Sequence, residues 1–192
     1  MLAVFVCLVV GLAGLTVRLF IEPAQGAPAR VSAIVMLQGM EDARLNLAVS
    51  LAEEHRAPML VISQGRDGYG GPCPAAIRGV KLICFNPNPP NTRGEAEFAS
   101  NLARQYHWTS VILVTNREQD TRGRLLMSMC FNGPIYVVTL PLGSLREAAP
   151  TIAYEWGALL KALVLYHACL PGLALALASE RPRGRTRWRC PP

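Results

Sequence analysis

Five short runs of apolar and β-branched residues recur along the middle of the chain, at residues 31–37, 59–63, 80–85, 111–115 and 135–139. Four of them are nearly continuous in hydrophobicity instead of alternating, which is the pattern of strands covered on both faces of a parallel sheet. Helix-period stripes separate most of these runs. Leu45, Ala48, Ala52 and His55 share one face, as do Phe98, Leu102 and Tyr106. Leu125 and Met129 begin a third stripe, and residues 154–165 form a fourth. Strand–helix alternation predicts an α/β fold: a Rossmann-like three-layer sandwich around a mostly parallel five-stranded sheet with right-handed crossovers. The connection at 64–79 departs from this rhythm, because it is too rich in Gly and Pro for a full helix.

The first apolar run is of another kind. Residues 2–17 carry no charge, and the apolar stretch reaches Ile21 with only Arg18 interrupting it. About 20 such residues cross a bilayer, so a transmembrane anchor over 1–22 is expected. A cleaved signal peptide with Ala24-Gln25-Gly26 as its small-residue site is the rival reading, although no Lys or Arg precedes the apolar run. A buried core helix is the third. The α/β domain is expected over 30–168 and an Arg-rich tail over 169–192. Residues 162–178 admit a second span, but Lys161 and Pro171 favour a packed last helix that stops near 168.

Composition narrows the picture. With 51% hydrophobic and 17% charged residues, the chain is not intrinsically disordered. The formal charge of +6 is concentrated in the tail, where Arg181, Arg183, Arg185, Arg187 and Arg189 fall close together. The rest is almost neutral, which argues against a nucleic-acid partner. Six cysteines (Cys7, Cys73, Cys84, Cys130, Cys169 and Cys190) show neither a C-x-x-C pair nor a zinc spacing with His55, His107 or His167. The four in the body allow three disulfide pairings, or four free thiols in a reducing compartment. Cys73 lies in the Gly/Pro connection and Cys84 near the end of the next strand, so a bridge between them would pin that connection. Cys130 and Cys169 then pair by elimination.

Ligands of a doubly wound sheet bind outside the carboxyl ends of its strands. The residues there are Gln38-Gly39, Ser63-Gln64-Gly65, Asn91 to Glu95 and Thr115 to Arg122, all small, polar or charged. Gln38, Gly39, Ser63, Gln64, Thr92, Glu95, Thr115, Asn116, Gln119 and Arg122 are the candidate ligand-binding set. Thr92-x-x-Glu95 also reads as a capping box, Asp120 as a helix start, and Arg122 with Arg124 as a solvated helix face. No P-loop, G-x-S-x-G or H-E-x-x-H motif is present, and Gly68, Gly70 and Gly71 do not form a dinucleotide fingerprint. The spacings point to no metal site, and the sequence identifies no particular cofactor.

At these loops the chain resembles the YdcF-like (SanA-like) proteins over roughly residues 31–165. The matching pieces are Ala33 to Gly39 followed by Arg44, Ala48 and Leu51; Ile62-Ser63-Gln64-Gly65; Thr92-Arg93-Gly94-Glu95-Ala96; and Val111 to Thr115 leading to Gln119-Asp120-Thr121-Arg122. The resemblance implies an N-terminal membrane helix and an extracytoplasmic domain in the cell envelope. It carries Arg122 over as the family's cation, here expected to clamp an anion with Thr92 and Ser63. Gln119 stands where the family has a histidine, and glutamine does not titrate. Glu95, Glu118 or Asp120 would have to replace it in proton transfer. The expectation is a membrane-anchored domain binding a polar, anionic small molecule, with an envelope enzyme acting on a phosphorylated or lipid-linked precursor as the alternative.

Overall fold

The computed structural model of the 192-residue chain describes residues 1–39, 42–64 and 73–165. Strands β1 (Ala33–Met36), β2 (Met59–Ser63), β3 (Lys81–Phe85), β4 (Val111–Thr115) and β5 (Ile135–Thr139) form one parallel sheet in the order β3-β2-β1-β4-β5. Every residue of β1, β2 and β4 is buried, whereas the edge strands β3 and β5 are only partly covered. This gradient explains the continuous hydrophobic runs: the central strands have no solvent face on which to place polar residues.

The pleat divides each strand between two cores. Ala33, Val35, Val61 and Leu113 pack with α3 (Thr92–Gln105) and α4 (Asp120–Ser128). Ile34, Met36, Leu60 and Ile112 pack with Ala48, Leu51 and Ala52 of α2 (Asp42–Glu53). The result is the three-layer α/β sandwich expected from the pattern. Helix α5 (Leu145–Leu165) buries Ala148, Ile152, Glu155, Leu159 and Ala162. It begins well before the stripe at 154 suggests. Its start is fixed by a capping box in which Ser144 Oγ accepts from the Glu147 amide and Glu147 Oε2 from the Ser144 amide, both at 3.3 Å. Pro150 inside the helix masks that start in the sequence.

The N-terminal helix α1 (Leu2–Thr16) continues into a π-helical turn, Val17–Ile21. Together they are long and apolar enough to cross a membrane. No residue of α1 is buried, which overturns the core-helix reading.

The domain does not begin at residue 30, as the composition suggests. Phe20 is fully buried in a cluster with Ala148, Ile152 and Leu159, and its ring meets Trp156 edge-to-face at 5.2 Å. Trp156 Nε1 donates to Thr16 Oγ1 (3.2 Å), and Thr121 Oγ1 donates to the Leu19 carbonyl (2.5 Å). Beyond the turn, Gln25 donates to Asp120 (2.8 Å) and Gly26 forms an antiparallel bridge to Val137. The segment after the apolar helix is thus laid against β5 and α4.

Cys73 and Cys84 are joined in a disulfide, tying the middle of the β2–β3 connection to the edge strand. Cys130 is also disulfide-bonded, while its expected partner Cys169, like the reading of 166–178, lies outside the described residues. A sequence separation of 11 corresponds to about 2–3 kcal/mol in the chain-entropy account. Cys84→Ser should therefore lower unfolding free energy by about that amount in a denaturant titration. A change under about 0.5 kcal/mol would show that the crosslink contributes nothing beyond an ordinary surface exchange.

Candidate functional site

The topology reverses between β1 and β4, since β1 pairs with β2 on one side and β4 on the other. In a doubly wound sheet that is where the loops diverge and leave a crevice. Residues 38–39 leave β1 there, and residues 116–119 leave β4.

Glu95 is the centre of the arrangement. It is 2% exposed, and its Oε1 accepts from the Gln38 amide at 2.5 Å, joining the start of α3 to the loop after β1. This corrects the capping-box reading. The residue that caps α3 is Asn91, whose Oδ1 accepts from the Arg93 and Gly94 amides at 3.0 and 3.1 Å. Asn is a strong N-cap, and with Asn91 in that role Thr92 is already helical and Glu95 falls a residue too far along to reach back. Gly94 lets the loop close on the helix, because a Cβ there would overlap the Pro89 carbonyl.

Burial pushes the Glu95 carboxyl above the usual carboxylate range. The Ser63 hydroxyl, the Gln38 amide, and the charges of Arg44 and Arg122 offset this only in part. Ser63 is fully buried at the end of β2, and its Oγ as placed meets no hydrogen-bond partner, although it lies near enough to Glu95 to favour the ionised form. Arg44, 1% exposed on α2, donates to the carbonyls of Leu37 (3.1 Å) and Gln38. Its guanidinium lies over Gly39 so closely that a Cβ there would overlap it. This is the packing reason for a glycine after β1.

Arg122 is not a waiting anion clamp. Its Nε and Nη2 donate to the two carboxylate oxygens of Glu155 at 2.6 and 2.7 Å, and its Nη1 donates to Thr92 Oγ1 at 2.7 Å. Glu155 is fully buried on α5. The bidentate fork is the strong form of an Arg–carboxylate pair, and it holds the Arg122 pKa above its ordinary value against the desolvation that opposes it. Arg124 is half-buried and engaged: it pairs with buried Asp120 at 3.0 Å and donates to the Ile135 and Ala24 carbonyls. Asp120 does start α4, as expected, but its carboxylate is taken by Arg124 and Gln25, which removes it as a proton-transfer candidate.

The remaining expected residues form the β4 side. Thr115, fully buried, donates to Gln119 Oε1 at 3.0 Å, so the Gln119 amide is held by the strand end. Asn116 precedes the 3-10 turn Arg117–Gln119 and its carbonyl accepts from the Gln119 amide. The Gln64 amide extends the β2–β3 ladder to the Phe85 carbonyl. A cavity of about 110 Å³ opens between the start of α3 and α5, lined by Thr92, Arg122, Tyr154 and Lys161 among others.

The chain has no significant match to any family model, curated protein or solved structure.

The sequence reading omitted Glu155 and did not place Arg44 in the site. The signal for Glu155 was present: it falls on the buried stripe Ile152, Leu159, Ala162 of α5, and a carboxylate on a buried stripe requires a basic partner. Contacts between the site loops are real. Gln38, Ser63 and Glu95 meet at one point, and Thr92 and Arg122 at a second beside it, linked by the first turn of α3.

Proposed function

We propose that the protein is a membrane-anchored, extracytoplasmic domain of the YdcF-like kind that binds a polar small molecule in the cell envelope. The observation that carries this reading is the buried Glu95 carboxyl at the ends of β1 and β2, beside the fully buried hydroxyl of Ser63. A desolvated titratable group at the strand ends is the pattern of a functional-site candidate. The anchor is supported by the exposed apolar helix over Leu2–Ile21, and the compartment by the Cys73–Cys84 bridge, since disulfides persist in oxidising surroundings. Because Glu155 neutralises Arg122, the geometry favours a ligand recognised by hydrogen bonds over one captured by net charge.

A second reading, an envelope enzyme on a phosphorylated or lipid-linked precursor, is favoured by the same carboxyl. A raised carboxyl pKa suits general acid–base work nearer neutral pH, and it supplies the titrating group that Gln119 lacks.

Two experiments test these readings. A reporter fused after Arg30 should be active only when exported, and activity in the cytoplasm would reject the anchored, extracytoplasmic part. Full-length protein purified in detergent should carry a polar small molecule detectable by mass spectrometry, reduced in Glu95→Gln. Recovery of the same molecule at the same occupancy from both would place the ligand elsewhere. Turnover of that molecule by the wild type would select the enzyme reading.

A further inference from the structure

Helix α5 carries a second apolar stripe beside its buried one. Trp156, Leu160, Leu163 and Val164 recur at helix spacing, and the last three are 54%, 39% and 68% exposed. Trp156 is the member that touches the N-terminal helix, through its bond to Thr16 and its ring contact with Phe20.

The relative direction of the two helices follows from these contacts. Helix α5 follows β5, so it leaves the carboxyl edge of the parallel sheet and runs away from it. Arg117 and Thr121, at the carboxyl end of β4, hold the carbonyls of Ile21 and Leu19, while Trp156, past the middle of α5, holds Thr16. The N-terminal helix therefore approaches the edge that α5 leaves, and the turns of α5 beyond Trp156 face back along its apolar length. Thr16 precedes Ile21, the end of the apolar stretch, by roughly 7 Å at helical rise. The domain thus meets the anchor within the apolar stretch, not beyond it.

We propose that Leu160, Leu163 and Val164 form a second membrane contact, seated in the headgroup–acyl boundary of the bilayer that α1 enters; this rests on the anchor reading above. The depth fits, since interfacial helices bury their apolar face about 5–10 Å into that boundary. Arg18, which donates to the Glu22 carbonyl, turns its charge toward the aqueous end of the anchor, as a snorkelling arginine does. The domain is then held to the membrane at two points, and its orientation is fixed.

Spin labels on Leu160→Cys and Val164→Cys test this in the full-length chain, in a background where every native free thiol, Cys7 among them, is replaced by Ser, and in nanodiscs of mixed zwitterionic and anionic phospholipid. Val10→Cys on α1 and Glu53→Cys on α2 are the lipid and water references. All four positions are exposed, so folding should tolerate the labels. The expected result is an oxygen-to-nickel-chelate collision ratio several-fold higher at 160 and 164 than at 53, approaching that at 10. Water-like ratios at 160 and 164 with a lipid-like ratio at 10 would overturn the second contact and leave the anchor standing. A water-like ratio at 10 would reject both. Shielding of 160 and 164 from both reagents, equally in detergent and in nanodiscs, would show that protein covers the stripe, and would also overturn the proposal.

Discussion

Glu155→Ala should lower the stability of the protein by about 3–5 kcal/mol, the scale for breaking a buried ion pair by removing one partner. The magnitude follows from what is left behind. Arg122 would keep its charge with only 11% of its side chain exposed and would lose two of its three hydrogen bonds, retaining only Thr92. A guanidinium cannot escape by deprotonating. Glu155→Gln should lose less, because the amide oxygen still accepts one of the two bonds. Replacing both partners with apolar residues of similar size, as in Arg122→Met with Glu155→Leu, should recover much of the loss, since a buried pair is weak net stabilisation against a well-packed hydrophobic pair. Denaturant titrations of the four proteins in the same detergent provide the measurement. A loss below about 1 kcal/mol for Glu155→Ala would place the pair with ordinary exposed salt bridges and contradict its burial.

Glu95→Gln should remove a pH dependence of stability and leave the folded protein more stable, relative to wild type, as pH rises. The folded carboxyl has a raised pKa because burial disfavours its charge. A group of this kind binds its proton more tightly in the folded state. Its favourable contribution is complete below the unfolded carboxyl value of roughly 4.3 and is lost as pH climbs through the raised folded value. Across that window the wild type should lose stability relative to Glu95→Gln, with a slope of at most about 1.4 kcal/mol per pH unit for one proton. Glutamine keeps an oxygen for the Gln38 amide. A wild-type minus Glu95→Gln difference that is flat from pH 4 upward, or that grows in favour of the wild type, would mean the carboxyl pKa is not raised in the folded state. The same variant separates stability from function: it should weaken ligand retention at a pH where it does not weaken the fold.

The architecture was legible because strand burial writes itself into composition. β2, β4 and β5 match their apolar runs residue for residue, whereas the strand order β3-β2-β1-β4-β5 was set by the fold. The connection rich in Gly and Pro was legible for the same reason, since neither residue sustains a helix, and the placement of Cys73 against Cys84 followed from a short loop between them. What remained hidden depended on choices between equivalent local signals. Thr92-x-x-Glu95 and Ser144-x-x-Glu147 are the same motif in sequence, yet only the second is a capping box. A stronger cap stands immediately before Thr92, which releases Glu95 to cross to another strand. Likewise Arg122 and Arg124 sit on one short helix with nothing local to mark either as paired with a buried carboxylate.

The pattern of apolar residues determined the strands, most of the helices, the parallel sheet and the apolar N-terminal helix, because each of these is set by which residues must leave water within a few positions of one another. It also brought the four loops to one edge, since parallel strands carry their exits to the same side. The tertiary structure decided where charge goes. Arg122 meets Glu155 across 33 positions of sequence, Glu95 meets Gln38 across 57, and Trp156 meets Thr16 across 140. Such pairings depend on desolvation and on the mutual placement of distant elements. Neither acts within the window of a local pattern, so the neutralised arginine, the buried carboxyl and the docked end of the apolar helix exist only once the chain has folded.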